Sequence, residues 1–140
     1  MGKEQALWDW VQTCPLLSAP ILFDFLREHE GSAGIIPVSD SVKRTYIDGT
    51  QIREYAFALQ FTYRVSDSTD DVNINNLQSL GLWQDWIDSQ QVAGIFPDFG
   101  EKCGAYRFMP PESAPVMALL FPDGIGKYQL FTRLQYMQVI

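Results

Sequence analysis

The most regular pattern in the chain is an alternation running from Tyr55 to Val65. Tyr55, Phe57, Leu59, Phe61, Tyr63 and Val65 occupy one set of positions, and Glu54, Gln60, Thr62 and Arg64 the other. Successive side chains of a strand point to opposite faces, so this stretch predicts a strand with one core face and one wet face. Before it, a shorter polar segment from Val42 reaches Asp48-Gly49, where glycine tolerates the positive φ that tight hairpin turns need. The two segments predict a β-hairpin over Val42–Val65 with its turn at Asp48 and Gly49. A second Asp-Gly pair, Asp123-Gly124, leads into Lys127–Tyr136, in which Tyr128, Leu130, Leu134 and Tyr136 share a face.

Helical spacing appears elsewhere. Ala6, Leu7, Trp10, Val11 and Cys14 predict an amphipathic helix stopped by Pro15, with Trp10 in the core. Pro20 suits the first turn of a second helix, from Ser18 or Ala19 through Ile21, Leu22, Phe25 and Leu26 to Gly31. The polar run Ser66–Asp71 offers N-caps to a third, whose stripe is Val72, Leu77, Leu80, Trp83, Trp86 and Ile87. That helix ends before Gly94, with Gly81 as a kink or break. Pro37 makes Gly34–Val38 an edge strand or extended lead-in, followed by a polar link at Asp40-Ser41. Phe96–Gly100 is a loop, and Cys103–Met109 and Pro115–Phe121 are strands joined by a Pro-Pro-Glu-Ser turn. The sum is an α+β fold, a mostly antiparallel sheet with helices packed on one face. It forms a single domain over 1–140, with a helical segment at 1–31 and the sheet with one main helix at 34–138.

Composition agrees with a folded module: 140 residues, 46% hydrophobic and 14% aromatic. A formal net charge of -7 opposes attraction to phosphate backbones, and the cations, apart from Lys43-Arg44, are scattered along the chain. Specific nucleic-acid binding is therefore not expected. The start lacks a signal peptide's apolar run, and Leu16–Leu26, interrupted by Asp24, is too short to span a bilayer, so no membrane association and a cytoplasmic location are expected.

Residues with catalytic or ligating chemistry do not assemble into a motif. Cys14 and Cys103 are far apart and read as buried free thiols. Asp67-x-Thr69-x-Asp71 begins like a calcium loop, but Val72 stands where that loop turns on glycine and Gln78 where it closes on glutamate; N-capping explains the run better. Gly124-x-Gly126 precedes a strand, whereas a phosphate-cradling loop leads into a helix. His29, beside Arg27, Glu28 and Glu30, reads as a surface helix cap, and Asp85 and Asp88 as solvated charge on one helix face. No catalytic, cofactor-binding or metal-binding residue is assigned, and no enzymatic activity is expected.

The polar positions of the hairpin carry more information. Lys43, Thr45, Gln51, Arg53, Glu54, Gln60, Thr62 and Arg64 form a ribbon suited to contact with a neighbour, with Lys43, Thr45, Arg53, Gln60, Thr62 and Arg64 as candidate subunit-interface residues. A rival reading is a cytoplasmic module that holds a small apolar ligand between helix and sheet, walled by Trp83, Trp86, Tyr55 and Tyr136.

Val42–Thr50, Arg53 with Tyr55 and Phe57, the polar Ser66–Asn76 run, Trp86-Ile87 with Gln90, Phe96-Pro-Asp98 and Tyr128–Tyr136 together resemble the minor capsid proteins of tailed phages and prophages of Gram-positive bacteria. In this the chain is similar to the tail terminator class, over Gly34–Gln138. The resemblance implies a tail-terminator-like α+β subunit that forms a homo-oligomeric ring, commonly a hexamer, in contact with tail tube and head connector proteins. It implies folding in the host cytoplasm and residence at the head–tail junction of the virion. The net charge adds a separate expectation: if a ring forms, the acidic surplus lines its lumen.

Overall fold

A computed structural model describes residues 2–16, 21–23, 33–64, 70–109, 116–120 and 125–139, with the backbone alone given for 21–23, 64, 70–75 and 116–120. The elements are α1 (Lys3–Val11), β1 (Ile21–Phe23), β2 (Ala33–Thr45), β3 (Gln51–Arg64), α2 (Asp70–Ala93), β4 (Cys103–Phe108), β5 (Val116–Leu120) and β6 (Ile125–Gln138). The fold is α+β. One sheet runs in the order β1-β2-β3-β6-β4, and β5 also pairs with β6. Among the described residues, only the β1–β2 pairing is parallel.

The two long alternating stretches, β3 and β6, lie side by side at the centre, paired without interruption from Gln51↔Gln138 to Arg64↔Ile125. Tyr55, Phe57, Leu59 and Phe61 thereby stand beside Leu134, Leu130 and Tyr128 on one face, all buried. Fully burying an aliphatic or aromatic side chain contributes about 1.5–3 kcal/mol, so this double row is the main source of stability.

Both helices cover that face. From α2, Leu80, Trp83 and Ile87 are buried, with Trp83 4% exposed and 5.0 Å from the Phe61 ring. From α1, Trp10 lies 4.7 Å from Trp86 and 5.2 Å from Phe108, joining α1, α2 and β4. Phe99, in the loop after α2, sets its edge against Tyr136 at 5.1 Å. The end of α2 follows from Gly94 at φ 73: Ile95 N–H donates to the Gln90 carbonyl and Gly94 N–H to that of Gln91, the bonding of a Schellman cap.

Several expectations change. The helix expected up to Gly31 is not formed at Ile21–Phe23, which are β1, paired with Ala33–Ile35; the rest of that segment lies outside the described residues. A three-residue apolar run has no period, and a distant partner decides its conformation. Gly34–Val38 and the Asp40-Ser41 link are not separate pieces but parts of one strand, β2. Register shifts at Pro37/Ser39 and Val42/Arg44 mark two bulges, and Pro37 stands beside the first, just past the reach of β1, where a missing N–H is tolerated. Gly81 neither breaks nor ends α2.

The strands flanking Pro-Pro-Glu-Ser are not partners. β4 pairs with Leu134–Gln138 and β5 with Gly126–Gln129, both antiparallel to β6, so they lie end to end along one edge of it. That linking turn, Asp123-Gly124, His29 and Ser66–Thr69 lie outside the described residues.

Candidate assembly surface

At the end of the hairpin, Gly49 N–H donates to the Tyr46 carbonyl and Tyr46 N–H to that of Thr50, with Gly49 at φ 90. Ile47 and Asp48 are therefore the central turn residues, and Gly49 is the bulge glycine that follows, rather than Asp48-Gly49 being the centre of a two-residue primed turn. Asp48 fixes this geometry through bonds from Thr50 N–H at 3.0 Å and Thr50 Oγ1 at 3.1 Å, which hold its carboxyl below the ordinary carboxylate range. The tip has Ile47 fully exposed. Tyr46, Ile47, Asp48 and Thr50 line an open groove of about 640 Å³ with Met137 and Val139, mostly apolar in its walls.

Beneath the tip, three donors converge on Asp40. Lys3 Nζ reaches Oδ2 at 2.6 Å, and Tyr136 Oη and Arg53 Nε reach Oδ1 at 2.7 and 3.3 Å. Lys3 also stands 5.0 Å above the Tyr136 ring. Partial burial opposes charge on Asp40, but the bonds from Lys3 and Tyr136 and the Lys3 and Arg53 charges outweigh it and hold the carboxyl below its usual range. Burial likewise works against the Lys3 ammonium, which its bonds to Asp40 and Tyr136 raise above the ordinary value. Nearby, burial pushes the Tyr55 hydroxyl up to about 12, reinforced by the charges of Glu4 and Asp40. This group clamps the first turn of α1 to β2, β3 and β6.

The candidate interface residues do not share one surface. Arg53 pairs with Tyr136 and Val42, and Thr45 with Gln51, placing both on the helix-covered side of the sheet; Arg53 is held within the chain by Asp40 and Gln51. Parity explains the correction, because Arg53 lies an even number of positions from Tyr55 and takes its face. Lys43, in the second bulge, turns to the other side and meets Glu54 at 3.5 Å. Gln60 is on that side too, bonded to Gln129 at 3.1 Å. Thr62 shares it but is fully buried, so this face is not wet at every position. Arg64 pairs with Ile125 through the backbone.

Following the register across the sheet reveals what the linear sequence conceals. The face opposite the helices carries Arg44 beside Ile52 and Met137, Arg107 beside Gln135, Arg133 beside Ala56, and Lys127 beside Thr62, with Lys43 at the bulge. Glu54, flanked by Lys43 and by Arg133 at 3.7 Å, is the one carboxylate among the described residues at these positions. Phe131, 43% exposed, lies between Arg133 and Gln129 on the same face, paired with Ala58, which is buried. Five of the ten cations scattered along the chain thus share one face. Alternation within β6 hints at this at Lys127 and Arg133, but Arg107 reaches that face only because the Ala105/Arg107 register shift changes its parity.

Trp83, Trp86, Tyr55 and Tyr136, the proposed walls of a ligand site, are in ring contact with Phe61, Trp10 and Phe99 of the same chain. Among the described residues, no group of three His, Cys, Asp or Glu side chains is placed to hold a metal ion, and no helix is long and apolar enough to cross a membrane. Cys14 is a buried free thiol, whereas Cys103 is half-buried. No protein-family model matches the chain, and no curated protein matches it.

Proposed function

We propose that the chain is a structural subunit of a tailed phage or prophage, a tail terminator or head–tail joining protein that assembles into a ring through contacts between copies. The resemblance of its patterned strands supplies the phage context. The observation that carries the assembly reading is the hairpin end, where Tyr46, Ile47, Met137 and Val139 are exposed together around one groove. A contiguous apolar surface at a rigid strand end serves contact with another protein better than it serves a monomer. The Asp40 clamp fits the same reading, because it steadies the strands that present the tip.

The test is light scattering at high protein concentration, with and without tail tubes, comparing the native chain with Ile47→Asp. Oligomers or tail-bound particles that the variant loses are the expected result. A strict monomer that never joins tail particles overturns the proposal.

A further inference from the structure

Both helices cover one side of the sheet; on the other, among the described residues, Arg44, Arg107, Phe131 and Met137 are exposed while Ala58 and Thr62 are buried, and charge divides between the two sides. The open face bears Lys43, Arg44, Arg107, Lys127 and Arg133 against Glu54, although the whole chain has a formal net charge of -7. Arg44 and Arg107 are exposed. The opposite layer presents α2, whose outward positions Leu82, Asp85, Ser89 and Val92 follow one another at helical spacing, with Asp88 alongside. Leu82 is exposed, Val92 is 90% exposed, and Asp85 and Asp88 stand exposed between them. This stripe lies opposite the one formed by Leu80, Trp83 and Ile87, which packs on the sheet.

We propose that copies of this chain associate head to tail, with the open sheet face of one seated on the outward stripe of α2 of the next. The two surfaces match in charge and in kind: cations around the exposed Phe131 and Met137 on the sheet, carboxylates between Leu82 and Val92 on the helix. The stripe from Leu82 to Val92 rises about 15 Å, so it would occupy only part of β6, whose span from Lys127 to Met137 is about 33 Å. A sheet with helices on one side is completed as a three-layer stack when a second copy's helix covers the other. A nucleic acid would meet the same cations, but would leave Leu82 and Val92 without a role and would face a strongly acidic chain. Because the two surfaces differ, the contact is heterologous and closes into a ring or continues as a filament. The proposal rests on the assembly reading above and adds a second contact to the one at the hairpin tip.

Sedimentation velocity over a concentration series tests it, using the native chain, the double variant Arg44→Glu with Arg107→Glu, and the double variant Asp85→Lys with Asp88→Lys. All substituted side chains are exposed, and near-UV circular dichroism confirms that each variant is folded. Each double variant alone should associate at least about tenfold more weakly, since like charges now oppose across the contact. An equimolar mixture of the two should co-assemble, because each reversed face then meets its opposite. Oligomers of the native chain that neither reversal weakens overturn this contact while leaving the ring reading standing. A native chain that stays monomeric at all concentrations and beside tail tubes overturns both. Binding of a labelled DNA duplex that Arg44→Glu with Arg107→Glu abolishes, with assembly unchanged, would reassign the face to nucleic acid and overturn the proposal.

Discussion

The two faces of the central sheet are built from the same two strands, alternate residues of β3 and β6, yet they do different work. Toward the helices stand Phe57, Leu59, Leu130 and Leu134, each at most 1% exposed; away from them stand Phe131, Arg133 and Lys127. The first face is closed by α1 and α2 and supplies the cohesion of the fold. On the second, the described residues make lateral pairs such as Gln60–Gln129 and the Lys43–Glu54–Arg133 cluster. Glu54 is buried between its two cations, so that cluster serves to keep a buried carboxylate paired, whereas Arg44 and Arg107 are exposed and can answer to a partner. The net charge of the chain is a poor guide to either face.

The comparison fails first if the closed face is not the stabilising one. Phe57→Ala should cost about 3–5 kcal/mol, measured by denaturant unfolding, because the cavity left among Tyr55, Thr132 and the helices cannot collapse. A cost below about 1 kcal/mol would mean that the helices are not firmly docked.

Next in size is the clamp that seats α1. Asp40→Ala should cost roughly 2 kcal/mol, leaving Lys3, Arg53 and the Tyr136 hydroxyl without their common acceptor. Because the Asp40 carboxyl is depressed in the fold, its contribution is fully present above the ordinary carboxylate range and is lost as pH falls through its folded value. Lys3 has the opposite sign, its contribution being present below the ordinary ammonium value and lost as pH rises through the raised one. Melting temperatures of the native chain and of Asp40→Asn should differ at neutral pH and converge below about pH 4. Parallel curves would remove Asp40 from the clamp.

A smaller effect probes the outward side of α2. At Gly81 an added Cβ would meet nothing within 4 Å, so Gly81→Ala should stabilise by about 1 kcal/mol. A loss in thermal unfolding would show that something covers the helix there. The smallest expected change is at Phe131 on the open face: Phe131→Ala should alter monomer stability by no more than about 0.5 kcal/mol in denaturant titration. A large loss would erase the difference between the faces.

If copies form a ring, these faces also decide what its lumen carries. A lumen walled by the helix layer would be acidic, whereas one walled by the open sheet would be basic, so the acidic surplus read from composition does not by itself line the channel.

Periodicity alone determined the elements whose partners are neighbours in sequence or whose pattern is long. The hairpin, β6 and the extent of α2 were readable because a two-residue or 3.6-residue period persists over many positions. The location of the turn at Asp48 and Gly49 was readable from chemistry, though not its class, which depends on which carbonyl Gly49 reaches. Tertiary structure alone decided the rest. Ile21–Phe23 became a strand because Ala33–Ile35 lay beside it, and β4 and β5 fell end to end because β6 is long enough to pair with both. Bulges turned Lys43 and Arg107 toward the open face, while an even spacing from Tyr55 kept Arg53 on the closed one. The physical reason is that a sequence records charge one position at a time, whereas a sheet sums it over strands whose registers are set by long-range pairing.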